Sequence, residues 1–263
     1  MQLTDLTEFL DKSKFDQDKE EFHLFYKMTG KDSMFLSDNA TYCLGRGNED
    51  LPTWVWTEDN LSLEKVKEVE ELLKLHYLVL DENKLTCKKE LYEYLKNDLT
   101  GLKDYFEMGF LVCEDLNSVN LAHGRFDRPN YGDKTTLARF WYENCQEMEY
   151  NDKVTLETAD DFLKNENFYV WRNPEEKAVS MGCFTVTNNQ AKLSHVYTPE
   201  TERCRGYCTS LVYCLTKKAL EAGMVPLLYT DLNYEASNHV YKKVGYKEKG
   251  MLVNFTAPKQ EAK

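Results

Sequence analysis

The sequence predicts a mixed α/β (α+β) fold, a mostly antiparallel sheet flanked by helices, and three stretches carry that expectation. Between Phe168 and Thr198 three runs rich in β-formers are separated by Asn173-Pro174 and Asn188-Asn189, which are turn pairs, so an antiparallel meander follows. Leu193 to Thr198 then runs through Pro199 and a short turn into a segment with apolar positions at Leu211, Val212, Leu215, Ala219 and Leu220, the pattern of strand, turn and helix. Val225 to Thr230 is continuously apolar at Leu227, Leu228 and Tyr229, as in a strand buried on both faces.

Taken in order, residues 1 to about 30 read as helical, with Leu3, Leu6, Phe9 and Leu10 on one face and Phe22, Phe25 and Tyr26 on another. Met34 to Arg46 and Thr53 to Thr57 read as strands. Ser62 is a suitable N-cap for a helix to about Leu75, with Leu63, Val66, Val69, Leu72 and Leu73 on its apolar side. A second helix is expected from about Lys88 to Asp98, and a strand from Asp104 to Glu114. The turn-rich stretches 115–120 and 124–133 form a break. The sequence therefore divides into residues 1–117, a mixed N-terminal lobe, and residues 118–263, where the chemistry is concentrated. In the second part, helices are expected over Thr135 to about Met148 and Leu156 to Leu163, then the three strands. They are followed by a helix to Ala222 with Gly223 beyond its end, the strand at Val225, a short helix from Ser237 to Val244 stopped by Gly245, and strands from Tyr246 through Met251 to Phe255.

Charge and cysteine content narrow the function classes. With 263 residues and 42% hydrophobic content the chain can bury a sizeable core. A formal net charge of −12 argues against nucleic-acid binding, which needs a basic face to neutralise phosphates. The eight cysteines include no CxxC pair and no metal-type cluster, as expected of free thiols in a reducing compartment and of a protein without a metal. The N-terminus has no basic n-region with an apolar core after it, and no stretch approaches the length of a membrane span. A cytoplasmic protein without membrane partners, monomeric or homodimeric, is the expectation. In the first lobe His23 and His76 stand alone, with no catalytic constellation around them.

The turn after Thr198 is the place built for a ligand. Arg203, Cys204, Arg205, Gly206, Tyr207 and Cys208 precede or open a helix whose first-turn N–H groups have no intrahelical acceptors. The positive end of the helix dipole and the two arginines favour a polyanionic phosphate, and Gly206 allows close approach of backbone to ligand.

These residues resemble the GNAT superfamily of acetyl-CoA-dependent N-acyltransferases. The family's pyrophosphate loop has the form Gln/Arg-x-x-Gly-x-Gly/Ala, and Arg203-Cys204-Arg205-Gly206-Tyr207-Cys208 is similar to it except that Cys208 stands where Gly or Ala is usual. Its surroundings match as well: Val196-Tyr197-Thr198-Pro199 before it, Tyr229-Thr230-Asp231-Leu232 after the helix, and Tyr241-x-x-x-Gly245-Tyr246, which resembles the family's closing signature. The resemblance covers roughly residues 120 to 256, and the N-terminal lobe matches in outline the degenerate second copy found in two-lobed members.

The resemblance implies a sheet splayed open between the strand ending at Thr198 and the strand ending at Thr230, with the pantetheine arm of acetyl-CoA lying in the splay. Main-chain groups of Val196, Tyr197 and Thr198 would serve that arm, amides from Cys204 to Thr209 would cradle the pyrophosphate, and Asn233 and Asn238 are further cofactor-binding candidates. The family's asparagine falls one position after Asn233, where this chain has Tyr234. The chemistry implied is direct transfer of an acetyl group to a primary amine of a small molecule, with the oxyanion met by a backbone N–H, that of Val196. Tyr241 matches the tyrosine that protonates the departing thiolate. For the base, His195 has the right ordinary pKa, with Glu157, Asp231 or a water chain as rivals. Cys204 and Cys208 could be nucleophiles at a helix start, but no companion base accompanies them and they read as small packing residues. A non-catalytic acyl-CoA-binding or sensing protein is the alternative, and a transferase acting on protein N-termini or lysines is a further variant.

Overall fold

The computed structural model describes residues 14–28, 32–148 and 154–260. Among them lie eleven strands and six α-helices. In chain order these are β1 (Met34–Ser37), β2 (Tyr42–Arg46), β3 (Thr53–Thr57), α1 (Leu63–Leu72), β4 (Asn83–Lys88), α2 (Lys89–Asp98), β5 (Lys103–Val112) and β6 (Arg125–Asp127). There follow α3 (Lys134–Glu147), α4 (Leu156–Lys164), β7 (Phe168–Arg172), β8 (Ala178–Thr187), β9 (Gln190–Tyr197), α5 (Tyr207–Glu221), β10 (Val225–Asp231), α6 (Glu235–Val244) and β11 (Lys247–Ala257). The mixed, mostly antiparallel α/β architecture is the one the sequence predicts. The chain forms two compact units, Met1–Phe110 with Tyr229–Asn233 and Lys249–Lys263, and Leu111–Leu228 with Tyr234–Glu248. Neither is continuous in sequence.

In the first unit the strands run in the order β1-β2-β3-β4-β11. Only β3 and β4 are parallel, joined by a crossover through α1, whose Ser62 hydroxyl accepts from Lys65 N–H as an N-cap. Val66, Val69 and Leu73 pack there with Leu44, Val55, Leu85, Leu91, Leu95 and Phe255. Three expectations are corrected. The stretch from Met34 to Arg46 is a hairpin of two strands, turned by Asp38, whose carboxylate accepts from the N–H groups of Ala40, Thr41 and Tyr42, with Asn39 at φ 63°. Phe15 and Phe25 lie in two short 3-10 turns, Lys14–Gln17 and His23–Lys27, with Phe22 between them, rather than in one long helix, because Phe15 fits edge-on against Trp56 and Phe22 edge-on against Trp54 instead of lining a helical stripe. Leu3, Leu6, Phe9 and Leu10 lie outside the described residues. Strand β4, which the sequence reading passed over, is polar at alternate positions and draws its place from pairing with β3 and β11.

A carboxyl in this unit is held near neutral charge. Burial of Glu21, reinforced by Asp18 and opposed by Lys88, raises its pKa to about 7, with Asp59 adding to the rise. Lys88 bonds Asp18 at 2.6 Å and Asp59 at 2.7 Å. A group whose folded pKa lies above its unfolded value contributes fully below the unfolded value, and that contribution fades as pH rises through the folded one. Stability should therefore fall between about pH 4.5 and pH 7 through this residue. Glu21→Gln should flatten that slope and raise stability at pH 8 by on the order of 2 kcal/mol in urea unfolding. An identical pH profile in the variant would show that the carboxyl is not held protonated.

In the second unit the order is β10-β9-β8-β7-β6. The meander β7-β8-β9 is antiparallel, as its turn pairs predict. The stretch 124–133, expected as a break throughout, contributes β6, which pairs Arg125 to Asp127 against Val170 to Arg172. Its entry is fixed by Gly124 at φ 132°, where a Cβ would fall 2.0 Å from the Arg172 carbonyl oxygen. Arg172, buried, grips the Asp133 carboxylate at 2.7 and 3.0 Å and Asp127 at 2.8 Å, tying the start of α3 to this edge of the sheet. Helix α5 covers one face, packing Leu211, Val212, Leu215 and Ala219 on Leu193, Phe184 and Leu228. Helices α3 and α4 cover the other, packing Leu137, Phe140, Ala159 and Phe162 on Phe168, Met181 and Tyr197.

Candidate functional site

The site is assembled around an irregularity in β9. Cys183 faces Ser194, but two residues earlier on β8 Met181 faces Tyr197, so β9 carries one residue more than its partner. His195, at φ 56°, accommodates the extra residue as a β-bulge. The insertion reverses which face each later side chain meets. Leu193 and Val196 both turn to the α5 face, while His195 and Tyr197 face α3 and α4. Gly182, opposite the bulge, leaves room for the crossing. A Cβ there would come within 3.1 Å of Leu215 Cδ1 and 3.3 Å of Val196 Cγ2. The extra residue takes His195 and Val196 out of one-to-one register with β8.

On its other side β9 is paired in parallel with β10, Gln190 to Lys192 against Val225 to Leu227, and the registered pairing stops there. Beyond that point the backbone of β9 is not laddered to β10 among the described residues. Such an edge can accept an extended chain of hydrogen-bonding groups.

The turn after β9 is built to present N–H groups. Thr198 is held by a hydroxyl bond to Ser180 at 2.7 Å, and Ser180 in turn donates to the Tyr197 carbonyl at 3.0 Å. Residues Glu200–Glu202 make one 3-10 turn, and left-handed conformations at Cys204 (φ 60°) and Gly206 (φ 79°) then swing the chain into α5. Gly206 is the N-cap, and the first intrahelical bond runs from Ser210 N–H to the Gly206 carbonyl at 3.0 Å. The amides of Tyr207, Cys208 and Thr209 precede that bond and lie at the positive end of a 15-residue helix. The Ser210 hydroxyl accepts from Ala122 N–H at 2.8 Å, which fixes the segment running beside the helix start. A Cβ on Gly206 would meet only Ala122 Cβ, at 3.6 Å.

The two arginines are placed differently from a pair of side chains extended to a ligand. Arg203 Nε donates to the Thr198 carbonyl at 3.0 Å, its guanidinium lies 5.9 Å over the Tyr197 ring and it pairs with Glu147. Arg205 is exposed and pairs with Glu202 at 3.0 Å. Cys204 is exposed. Burial pushes the Cys208 thiol up to about 11, against opposing effects from Thr198 and Arg203, which favours the packing role over a nucleophile. Tyr207 and Thr209 are buried, Tyr207 within the α5 core.

His195 sits against an aromatic wall, with ring centres 4.6 Å from Trp141, 5.3 Å from Phe162 and 6.5 Å from Phe168. Its Nδ1 is 3.2 Å from Ser194 Oγ and 3.5 Å from Cys183 Sγ. Of its rivals, Glu157 is held below the usual carboxylate range by the Thr155 hydroxyl, which makes it a weaker base, and Asp231 belongs to the first unit. Asn233 lies in that unit too, where its N–H bonds the Asp231 carboxylate at 2.8 Å in a tight turn. Tyr241 and Asn238 lie on α6, both buried, with the Tyr241 ring 5.9 Å from Tyr246 in an edge-on arrangement. The Tyr246 hydroxyl is anchored to Thr216 of α5 at 2.9 Å, and Gly245, at φ 126°, closes the helix where a Cβ would fall 2.4 Å from the Asp115 carbonyl oxygen.

Sequence reasoning missed Ser180, Ser194, Glu143 and Glu147. Glu143 accepts from the Tyr197 hydroxyl at 3.3 Å. The spacing of Glu143 and Glu147 puts both on one helix face, but only the packing of α3 on β9 brings that face to the turn.

A bulged strand that leaves its parallel neighbour and feeds a left-handed turn onto a helix start offers an open strand edge followed by unpaired amides, an arrangement suited to an extended, phosphate-bearing ligand. Residues 174–253 match the family model described as FR47-like protein. Among solved structures the chain is similar to a GNAT-family acetyltransferase from Colwellia psychrerythraea, at 14% identity and a TM-score of 0.62 over 98% of both chains. It is also similar to a GCN5-related N-acetyltransferase from Sphaerobacter thermophilus, at 13% identity and a TM-score of 0.65, covering 98% of this chain and 93% of that one. A third, from Kribbella flavida, is 12% identical with a TM-score of 0.57, covering 82% of this chain and 86% of that one. No curated protein matches the chain. At these identities the structures show that the chain shares the fold of these acetyltransferases, and the family model matches only the segment 174–253. Among the described residues no helix is long and apolar enough to cross a membrane, and no group of three or more His, Cys, Asp or Glu is arranged to hold a metal.

Proposed function

We propose that this protein transfers an acetyl group directly from acetyl-CoA to a primary amine of a small molecule. The observation that carries this reading is the joining of the β9 bulge to the turn at Cys204 and Gly206, so that one continuous segment offers a strand edge and then a row of helix-start amides. An extended amide-rich arm ending in a pyrophosphate has that same order of groups. The cradle fits: two left-handed residues open it, no side chain of Gly206 fills it, and a helix dipole points into it.

The donor supplies an activated thioester, and this chain supplies placement and proton handling. The main chain of Val196, Tyr197 and Thr198 aligns the arm, and amides from Cys204 to Thr209 hold the phosphates. The Val196 N–H, displaced from the β8 register by the bulge, faces the carbonyl oxygen on which charge develops. The neutral amine nitrogen forms the new C–N bond as the C–S bond breaks, Tyr241 gives its phenol proton to the sulfur, and His195 takes the proton lost by nitrogen. Asn233 and Asn238 are assigned as further donor contacts. Residues 1–117 are read as a degenerate lobe and residues 118–263 as the transferase domain.

Calorimetric titration with acetyl-CoA, followed by free-thiol release across a panel of small amines, tests this directly. Binding with amine-dependent release is the expected result. Binding without release across the panel would favour an acyl-CoA sensor, and no binding would remove the donor assignment.

A further inference from the structure

Glu147 ends α3, where a carboxylate faces the negative end of the helix dipole and where the last turn contains no basic residue. An isolated glutamate there is unfavourable. In this structure it is compensated from far along the chain: the Arg203 guanidinium, in the turn before α5, and the Tyr234 hydroxyl, in the loop before α6, both donate to its two carboxylate oxygens. Burial alone would raise the Glu147 carboxyl, but these two hydrogen bonds outweigh it and hold it below its ordinary value. Arg203 is itself locked to the end of β9 through the Thr198 carbonyl and the Tyr197 ring. The two segments so joined are the ones that follow β9 and β10, and the ladder between those strands has already stopped at Lys192 and Leu227. The carboxylate bridges segments that the main chain has let go.

We propose that Glu147 is a positioning residue for the acyl donor: through Arg203 and Tyr234 it straps the turn before α5 to the loop before α6, and so holds the frame closed on a bound CoA-type ligand. This rests on the donor reading above. The strap acts on escape of the ligand rather than on chemistry. Arg203 is therefore a strut, and its charge is spent on Glu147 and not on phosphate, which also accounts for a carboxylate being tolerated near an anion site.

The test is stopped-flow dissociation of acetyl-CoA, with the melting temperature of the ligand-free protein measured alongside. Tyr234→Phe removes the hydroxyl without changing charge, and Glu147→Ala removes the bridge. Each should speed dissociation roughly tenfold, since changes of contact within one interface act mainly on the off-rate. The double variant should be no faster than either single one, because both break the same strap. Glu147→Gln, whose single amide oxygen can accept from Arg203 while its N–H donates to the Tyr234 hydroxyl oxygen, should recover part of the wild-type rate, and ligand-free melting should stay within a few degrees throughout. Unchanged or slower dissociation in Tyr234→Phe and Glu147→Ala would overturn the strap, slower release showing that Glu147 competes with the ligand for Arg203. A rise in off-rate matched by a large loss of ligand-free stability would overturn it in favour of a purely structural ion pair. Absence of acetyl-CoA binding to the wild-type protein would overturn the strap together with the donor reading, whereas binding with unaltered variants removes the strap only.

Discussion

Gly206→Glu should abolish detectable acetyl-CoA binding in calorimetry while the protein remains folded by circular dichroism. Two effects combine at this position. Gly206 is left-handed at φ 79°, so any side chain costs about 1 to 2 kcal/mol in backbone strain. The space beside it is open, with the first contact of a Cβ at 3.6 Å from Ala122, so a longer side chain enters the cradle without disrupting the core. A carboxylate there would stand against the phosphates and cancel the helix dipole that attracts them. Gly206→Ala separates the two contributions. It carries the strain without the charge, and should weaken binding several-fold and lower the melting temperature slightly. Binding retained in Gly206→Glu would put the phosphate assignment of the whole turn in doubt.

Tyr241→Phe should lower turnover about 100-fold, the scale of losing a general acid, with acetyl-CoA affinity nearly unchanged. The substitution keeps the aromatic ring that meets Tyr246 edge-on and packs in the α5 core, so a loss of activity would not be a loss of folding. The contrast with Gly206→Glu is the useful one: one variant loses affinity, the other turnover. Unchanged turnover in Tyr241→Phe would remove the phenol from the chemistry and leave Tyr241 as a core residue.

Legibility of this protein followed the range of the interaction involved. The meander from Phe168 to Tyr197, the helices α3 to α6 and the strand at Val225 were all readable, because turn pairs, capping residues and apolar period act within a few residues of the chain. The turn from Arg203 to Cys208 was readable for the same reason: a glycine, a strand before and an amphipathic helix after are local facts. The N-terminal aromatics misled, since Phe15, Phe22 and Phe25 are spaced tolerably for a helix, but Phe15 is placed against Trp56 and Phe22 against Trp54, on a strand more than thirty residues away.

What the sequence by itself determined is the fold class, the order of elements from α3 onward and the location of the glycine-bearing turn from Arg203 to Cys208. Only the tertiary structure decided which way His195 faces, because one extra residue in β9 inverts the alternation on which any strand reading depends. It alone decided that Arg203 is held by Glu147 and Thr198, contacts 56 and 5 residues distant. Long side chains at a helix end and a strand exit have no local period, and their pairing is set by how α3 crosses the sheet. Local order is written along the chain, whereas the partners of its charges are chosen by packing.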